Sequence, residues 1–174
     1  TVSSVSITND GALDLGQIEK WIGELLRTKG ADIYRMKGVL NIADADEKFV
    51  YHAVHMIFKG DFTDPWGASE ERSSKLVFIG KNLDAAQLRK SFNDCIDTQE
   101  NRDQRLKSLR FAVGSKVECQ VGGGSWAKGT VTELMYREDT MPPGMVAPYQ
   151  VKLDDGGLIF APADSDQLIR AAKP

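Results

Sequence analysis

"LDLGQIEKWIGELLRTKG", residues 13–30, decides how the first half of this chain folds. Asp14 can cap a helix, Gln17 sits three residues on to complete a capping box, and Leu13 with Ile18 can form the hydrophobic staple. Leu15, Ile18, Ile22, Leu25 and Leu26 then recur at helical spacing, and Gly30 is placed to end the helix. The same device returns at "LDAAQL", where Asp84, Gln87, Leu83 and Leu88 repeat the pattern and start a second helix running to about Ile96. An apolar stripe on a helix has to lie against something. The strand-like runs "VSSVSI" before the first helix, and "GVLNIA", "KFVYHAVHMIFKG" and "SKLVFIG" between the two, supply the surface. The order strand, helix, three strands, helix predicts an α+β fold: an antiparallel or mixed sheet with both helices on one face.

Beyond residue 97 the pattern changes. "TQENRDQRLKS", residues 98–108, has Leu106 as its one apolar residue and mixes both signs of charge, as a linker or a solvated helical extension does. After it come only strand and turn signals: "VGSKVECQV", "GTVTELMY", "YQVKLDD" and "GLIFAPA", separated by a glycine run, by the loop "REDTMPPGMVAP" and by "DDGG". The expected organisation is an α+β domain over 1–97, a charged linker over 98–108, and a small all-β barrel over 109–174. The opening residues begin directly in strand-like sequence, as a piece of a longer chain would.

The glycine run has to be tested as a phosphate loop. In "VGGGSWAKGT", residues 121–130, Lys128 precedes Gly129 and Thr130 follows it, whereas a Walker loop needs Gly-Lys-Ser/Thr in that order ahead of a helix. Both flanks alternate like strands, so Gly122, Gly123 and Gly124 read as a hairpin connection.

Composition narrows the classes further. With 41% hydrophobic and 27% charged residues the chain is an ordinary globular one, without an apolar run long enough for a membrane span or the features of a signal peptide. The net charge is −3, and the halves on either side of the linker carry 12 basic against 15 acidic and 7 against 8 residues, so neither offers a footprint for nucleic acid or anionic lipid. The two cysteines, Cys95 and Cys119, fall in different domains; a reducing intracellular compartment, cytoplasmic or organellar, is expected.

No catalytic constellation assembles. His52 and His55 are the only histidines, and on a strand an i, i+3 pair points to opposite faces, so no metal site is expected there. The paired carboxylates Asp44/Asp46, Glu70/Glu71 and Asp154/Asp155 all adjoin turns and read as solvated loop charges. Arg35 and Lys37, just after the first helix and ahead of a strand, are either surface cations near a helix C-terminus or, more sharply, an interdomain or anion contact. In the barrel, Tyr149 shares strand parity with Val151 and Leu153 and is assigned to the core, leaving Trp126, Phe160 and, more weakly, Tyr136 as a rim for partner binding.

The blocks "IYRMKGVLNI", "VHMIF" and "LVFIGKNLD", in this order from about residue 3 to residue 97, closely resemble the C-terminal domain of the CobW family of P-loop GTPases. The resemblance implies a metallochaperone that carries zinc or cobalt to a client protein, with this domain appended to the GTPase domain. The family's nucleotide loop and Cys-x-Cys-Cys motif do not occur in these residues. What is implied is the non-catalytic regulatory and client-binding portion, with no cofactor of its own; zinc and GTP belong to the full-length parent. Arg35, Lys37 and His55 lie in the matching blocks and are the implied contacts to a GTPase domain, in cis or trans, or to a client or scaffold protein. Residues 109–171 resemble small SH3-like barrels of the Tudor and Agenet type, which implies protein recognition. A scaffold or assembly subunit that keeps the fold without GTPase or metal-transfer activity is the alternative.

Overall fold

The computed structural model describes every residue except His55 and Met56, and its two compact units divide between Asn101 and Arg102. The first unit begins with β1 (Val2–Asn9), α1 (Leu15–Lys29) and β2 (Ile33–Leu40). It continues with β3 (Glu47–Val54), β4 (Ile57–Pro65), β5 (Ser74–Lys81) and α2 (Ala85–Asn93). The five strands form one sheet in the order β1-β5-β2-β3-β4, each neighbouring pair antiparallel.

Both helices start where the capping signals place them. The Asp14 carboxylate accepts from the Gln17 N–H at 2.9 Å, and Asp84 accepts from the Gln87 N–H at 3.0 Å. Each satisfies a donor that the first turn would otherwise leave unpaired, a contribution of about 1 kcal/mol. From α1, Ile18, Ile22 and Leu26 are buried against the sheet, with Leu15 and Leu25 partly so. Gly30 ends α1 but stays in the right-handed region (φ −58°), because Asp32 and Ile33 donate back to the carbonyls of Lys29 and Gly30 and close a turn that runs straight into β2. α2 buries Leu88 and Phe92 in the same core and stops at Asn93, short of the expected Ile96, where the chain tightens into turns.

Two strand assignments need correction. "KFVYHAVHMIFKG" is not one strand but the two arms of a hairpin, β3 and β4, with Val54 opposite Ile57. No Gly, Pro, Asn or Asp marks that reversal, so the apolar run reads as continuous. The sheet therefore has four strands between the helices, not three. β2 also begins at Ile33, ahead of "GVLNIA", so Arg35 and Lys37 belong to a strand and not to the helix exit. Their charge hides the alternation: Ile33, Met36, Gly38 and Leu40 are buried while Arg35 and Lys37 are exposed.

The core lies between the helices and one sheet face, on which Met36, Leu40, Phe49, Tyr51, Leu76 and Phe78 are buried. Trp21 of α1 meets Phe78 edge-on at 6.1 Å and Phe92 at 6.3 Å, tying both helices to β5. Because strand side chains alternate, burying this set obliges the opposite set to face outward.

Helix α3 (Gln99–Ser108) carries residues of both units and has no buried residue. At its start Asn101 donates to the carbonyls of Asn93 and Ile96, satisfying the chain end beyond α2. The second unit is a five-stranded antiparallel sheet in the order β10-β6-β7-β8-β9, built from β6 (Lys116–Gln120), β7 (Trp126–Tyr136), β8 (Ala147–Leu153), β9 (Leu158–Ala161) and β10 (Ile169–Ala171). Gly122, Gly123 and Gly124 all have positive φ and turn the chain between β6 and β7, a conformation that side chains strain to adopt. Val117, Cys119, Val131, Tyr149, Val151 and Ile169 form the core.

Candidate functional site

The register of the first sheet places the outward residues in rows. One row across the strands runs Thr8, Lys75, Val39, Val50, Asp61. The next runs Ser6, Val77, Lys37, His52, Lys59, and the third Ser4, Ile79, Arg35, Val54, Ile57. Neither helix covers this face. Aliphatic residues and cations interleave across it, with Lys37 at the centre of the rows.

Arg35, Lys37, Gly38, Val39, Lys75, Val77 and Ile79 line a shallow depression of about 310 Å³ here. Lys59 is paired with Asp61 at 3.2 Å. The side chains of Arg35, Lys37 and Lys75 make no hydrogen bond or ion pair among the described residues. Val54 and Ile79, near the ends of the interior strands β3 and β5, are 49% and 37% exposed.

Of the residues singled out in the sequence, Arg35 and Lys37 thus come together on one open face, and His52 lies beside Lys37 in the same row. His55 lies outside the described residues. Among the described residues no group of three or more His, Cys, Asp and Glu is placed to hold a metal ion. What sequence reasoning missed is the contribution of β5: Lys75, Val77 and Ile79 complete the face through antiparallel pairing with β2, and only the register reveals it.

In the second unit the three aromatics assigned to a rim do not form one cluster. Tyr136 and Phe160 approach to 6.5 Å, and with Glu138, Gln150, Leu158 and Ile159 they line a hollow of about 370 Å³. The Tyr136 hydroxyl donates to Glu138, which draws the carboxyl below its usual range and pushes the phenol up. Trp126 starts the strand that Tyr136 ends, roughly 30 Å away along an extended chain. Its ring is occupied by Arg170, whose guanidinium carbon stands 3.8 Å from the ring centroid and whose Nε is 3.7 Å from the buried Glu118 carboxylate. The stack screens a buried acid, so Trp126→Ala is expected to destabilise the second unit by about 1–3 kcal/mol through the loosened Arg170–Glu118 pair. Thermal unfolding followed by circular dichroism reads this; an unchanged midpoint would return Trp126 to a role in recognition alone.

No helix of the described residues is long and apolar enough to cross a membrane. The first unit is of the one-sided α+β class, with one sheet face packed by helices and the other left open. Residues 2–96, more than half of the chain, match the model of the cobalamin synthesis protein cobW C-terminal domain, and the chain belongs to that family. The zinc chaperone YjiA of Escherichia coli (strain K12) is similar, at 28% identity over 91 residues that make up 52% of this chain and 28% of the relative. Among solved structures, the Zn(II)-bound YjiA GTPase from E. coli superimposes with a TM-score of 0.52 at 26% identity, covering 54% of this chain and 29% of that one. A Zn(II)-bound triple mutant of the same GTPase gives 0.53 at 25% identity, covering 55% and 30%. The chain thus spans less than a third of the length of these relatives, and what it shares with them is the C-terminal region.

Proposed function

We propose that this chain is the non-catalytic regulatory and client-binding portion of a GTP-dependent zinc or cobalt chaperone of the CobW type. The observation that carries the reading is the coincidence of the family match, residues 2–96, with a unit whose open face displays Arg35 and Lys37, whose side chains have no partner among the described residues. In this reading the face meets the GTPase portion, in cis or in trans, or the client, and reports nucleotide state between them. Metal is cargo handled by the parent protein and not a resident of these residues. The second unit, an SH3-like sheet of five short strands, serves as a protein-recognition module of the Tudor-like kind through Tyr136 and Phe160. Cys95 and Cys119, both buried and outside any disulfide, suit a reducing compartment.

Two measurements test the reading. Titrating the chain with GTP and Mg²⁺ in a calorimeter is expected to give no binding heat, since no Gly-Lys-Ser/Thr loop is present in these residues; micromolar affinity would overturn it. Reading the coding sequence ahead of residue 1 is expected to show a Walker loop and a Cys-x-Cys-Cys motif. Their absence would favour the scaffold subunit.

A further inference from the structure

We infer that the open face of the first sheet is the seat of an amphipathic helix with an aliphatic stripe flanked by Asp and Glu. The inference deepens the docking reading above and rests on it for the existence of a partner, but the chemistry of the occupant comes from the face itself.

Three properties define that chemistry. The first is charge: among the described residues the three rows hold Arg35, Lys37, Lys59 and Lys75 against one carboxylate, Asp61, and at their margins Lys48 pairs with Glu70 and Lys81 with Asp32, in a chain whose net charge is −3. Cations are concentrated here against the sign of the whole molecule, and the side chains of three of them make no hydrogen bond or ion pair among the described residues. An occupant with carboxylates would gain charge-assisted contacts with Arg35, Lys37 and Lys75, and one with cations would be repelled.

The second is the nature of the apolar surface. In the three rows it consists of Val39, Val50, Val54, Val77, Ile57 and Ile79, and the ring they hold among the described residues is the His52 imidazole. Nucleic acid bound on an open sheet face is held by aromatic rings that stack on bases, and valines cannot do this. β-branched aliphatics instead suit Leu, Ile or Val from a protein.

The third is hydrogen bonding. β5, β2 and β3 are the interior strands of the sheet, so their backbone groups are already used in pairing on both sides. A partner lying on this face cannot add as a strand; it must arrive with its own backbone satisfied, which a helix does. The sheet already accepts a helix on its other face, where α1 applies Ile18, Ile22 and Leu26. The rows on the open face are two residues apart, roughly 7 Å, so three rows span roughly 14 Å. A stripe at i, i+3/i+4 and i+7 runs about 10 Å and fits within them.

The test selects ligands without presupposing a sequence. The whole 174-residue chain is immobilised and panned against a display library of randomised 16-residue helical peptides. Peptides enriched on the chain are expected to be net acidic, with aliphatic residues at helical spacing. The most enriched one, made synthetically, is expected to lose at least tenfold in affinity when Arg35→Glu and Lys37→Glu are combined, and likewise in Lys75→Glu alone, while the melting midpoint of either protein stays within about 2 °C of the parent's. Basic peptides, peptides with no shared pattern, no enrichment at all, or acidic peptides whose binding neither variant alters would each overturn the inference. So would a uridine 20-mer or phosphatidylserine vesicles binding through the same cations while no peptide does. If acidic peptides bind as expected and the flanking coding sequence lacks a Walker loop, the face stands and the chaperone reading falls; the reverse pair of results leaves the chaperone reading without this face.

Discussion

Tyr149→Ala is expected to lower the unfolding midpoint of the second unit by roughly 15 °C or more, the size of effect that follows from truncating a fully buried aromatic in a domain of this length. Tyr149 is wholly inaccessible to solvent and sits on β8 with Val151 and Leu153 pointing the same way. Its ring packs 5.7 Å from Phe111, and its hydroxyl accepts the Phe111 N–H at 3.2 Å. One side chain thus fills the core and anchors the segment that enters β6. The neighbouring Arg110 fastens the same segment from outside, with its Nε on Asp164 at 2.8 Å, a second ion pair to Asp166 and a hydrogen bond to the Ile169 carbonyl at 3.0 Å. Tyr149→Phe separates the two roles. It keeps the ring and removes the hydroxyl, which accepts from Phe111 and also donates to the Asp164 carboxylate, and its cost is expected to be about 1–2 kcal/mol. Circular dichroism melts of both variants check this; equal losses would mean that the hydroxyl, and not the packing, holds the unit together.

Gly80→Ala is the corresponding substitution in the first unit. A methyl group at residue 80 would stand 2.0 Å from the Asp32 carbonyl oxygen and 3.1 Å from the Ile33 Cα, both backbone atoms that cannot rotate away. The approach is this close because β2 enters its pairing with β5 through an irregularity between Ile33 and Arg35, and Lys81 donates to the same Asp32 carbonyl at 2.9 Å. Inserting the methyl forces β2 off β5 at the end where Arg35 and Ile79 face outward. The expected loss is roughly 3 kcal/mol. Gly23→Ala is the control. Gly23 lies in the middle of α1 with nothing within 4 Å of an added methyl, and the change is expected to stabilise by about 0.5–1 kcal/mol. Denaturant unfolding of the pair should move in opposite directions; a neutral Gly80→Ala would show that β2 and β5 can part there without cost.

The sequence by itself determined the two capped helices and the residues that anchor them and the second unit in their cores. Asp14 and Asp84 mark helix starts because an unpaired N–H needs an acceptor within three residues, a requirement local enough to be written in adjacent letters. Ile18, Ile22 and Leu26 had to be buried because their spacing puts them on one face, and Tyr149 was placed in the core by parity with Val151 and Leu153 alone. The glycines of 122–124 were legible as a turn for the same reason, since positive φ is a property of the residue itself. The family blocks were legible as well, and they cover residues 2–96.

What only the tertiary structure decided was everything that depends on which strand lies beside which. The β3–β4 reversal carries none of the usual turn residues, so the pairing of Val54 with Ile57, and not the local sequence, divides the run in two. Local sequence puts Arg35 and Lys37 at a helix exit, whereas β2 begins at Ile33 and makes both strand residues. Lys75, Val77 and Ile79 are about forty residues further along the chain and join them only because β5 inserts between β1 and β2. Trp126 and Tyr136, grouped by composition, are set apart by the length of the strand they share, while Tyr136 and Phe160 are brought together by the pairing of β7, β8 and β9. The physical reason is common to all of these. Helix contacts recur at three and four residues and leave a trace in the sequence, whereas a sheet face is assembled from segments whose separation along the chain carries no periodicity.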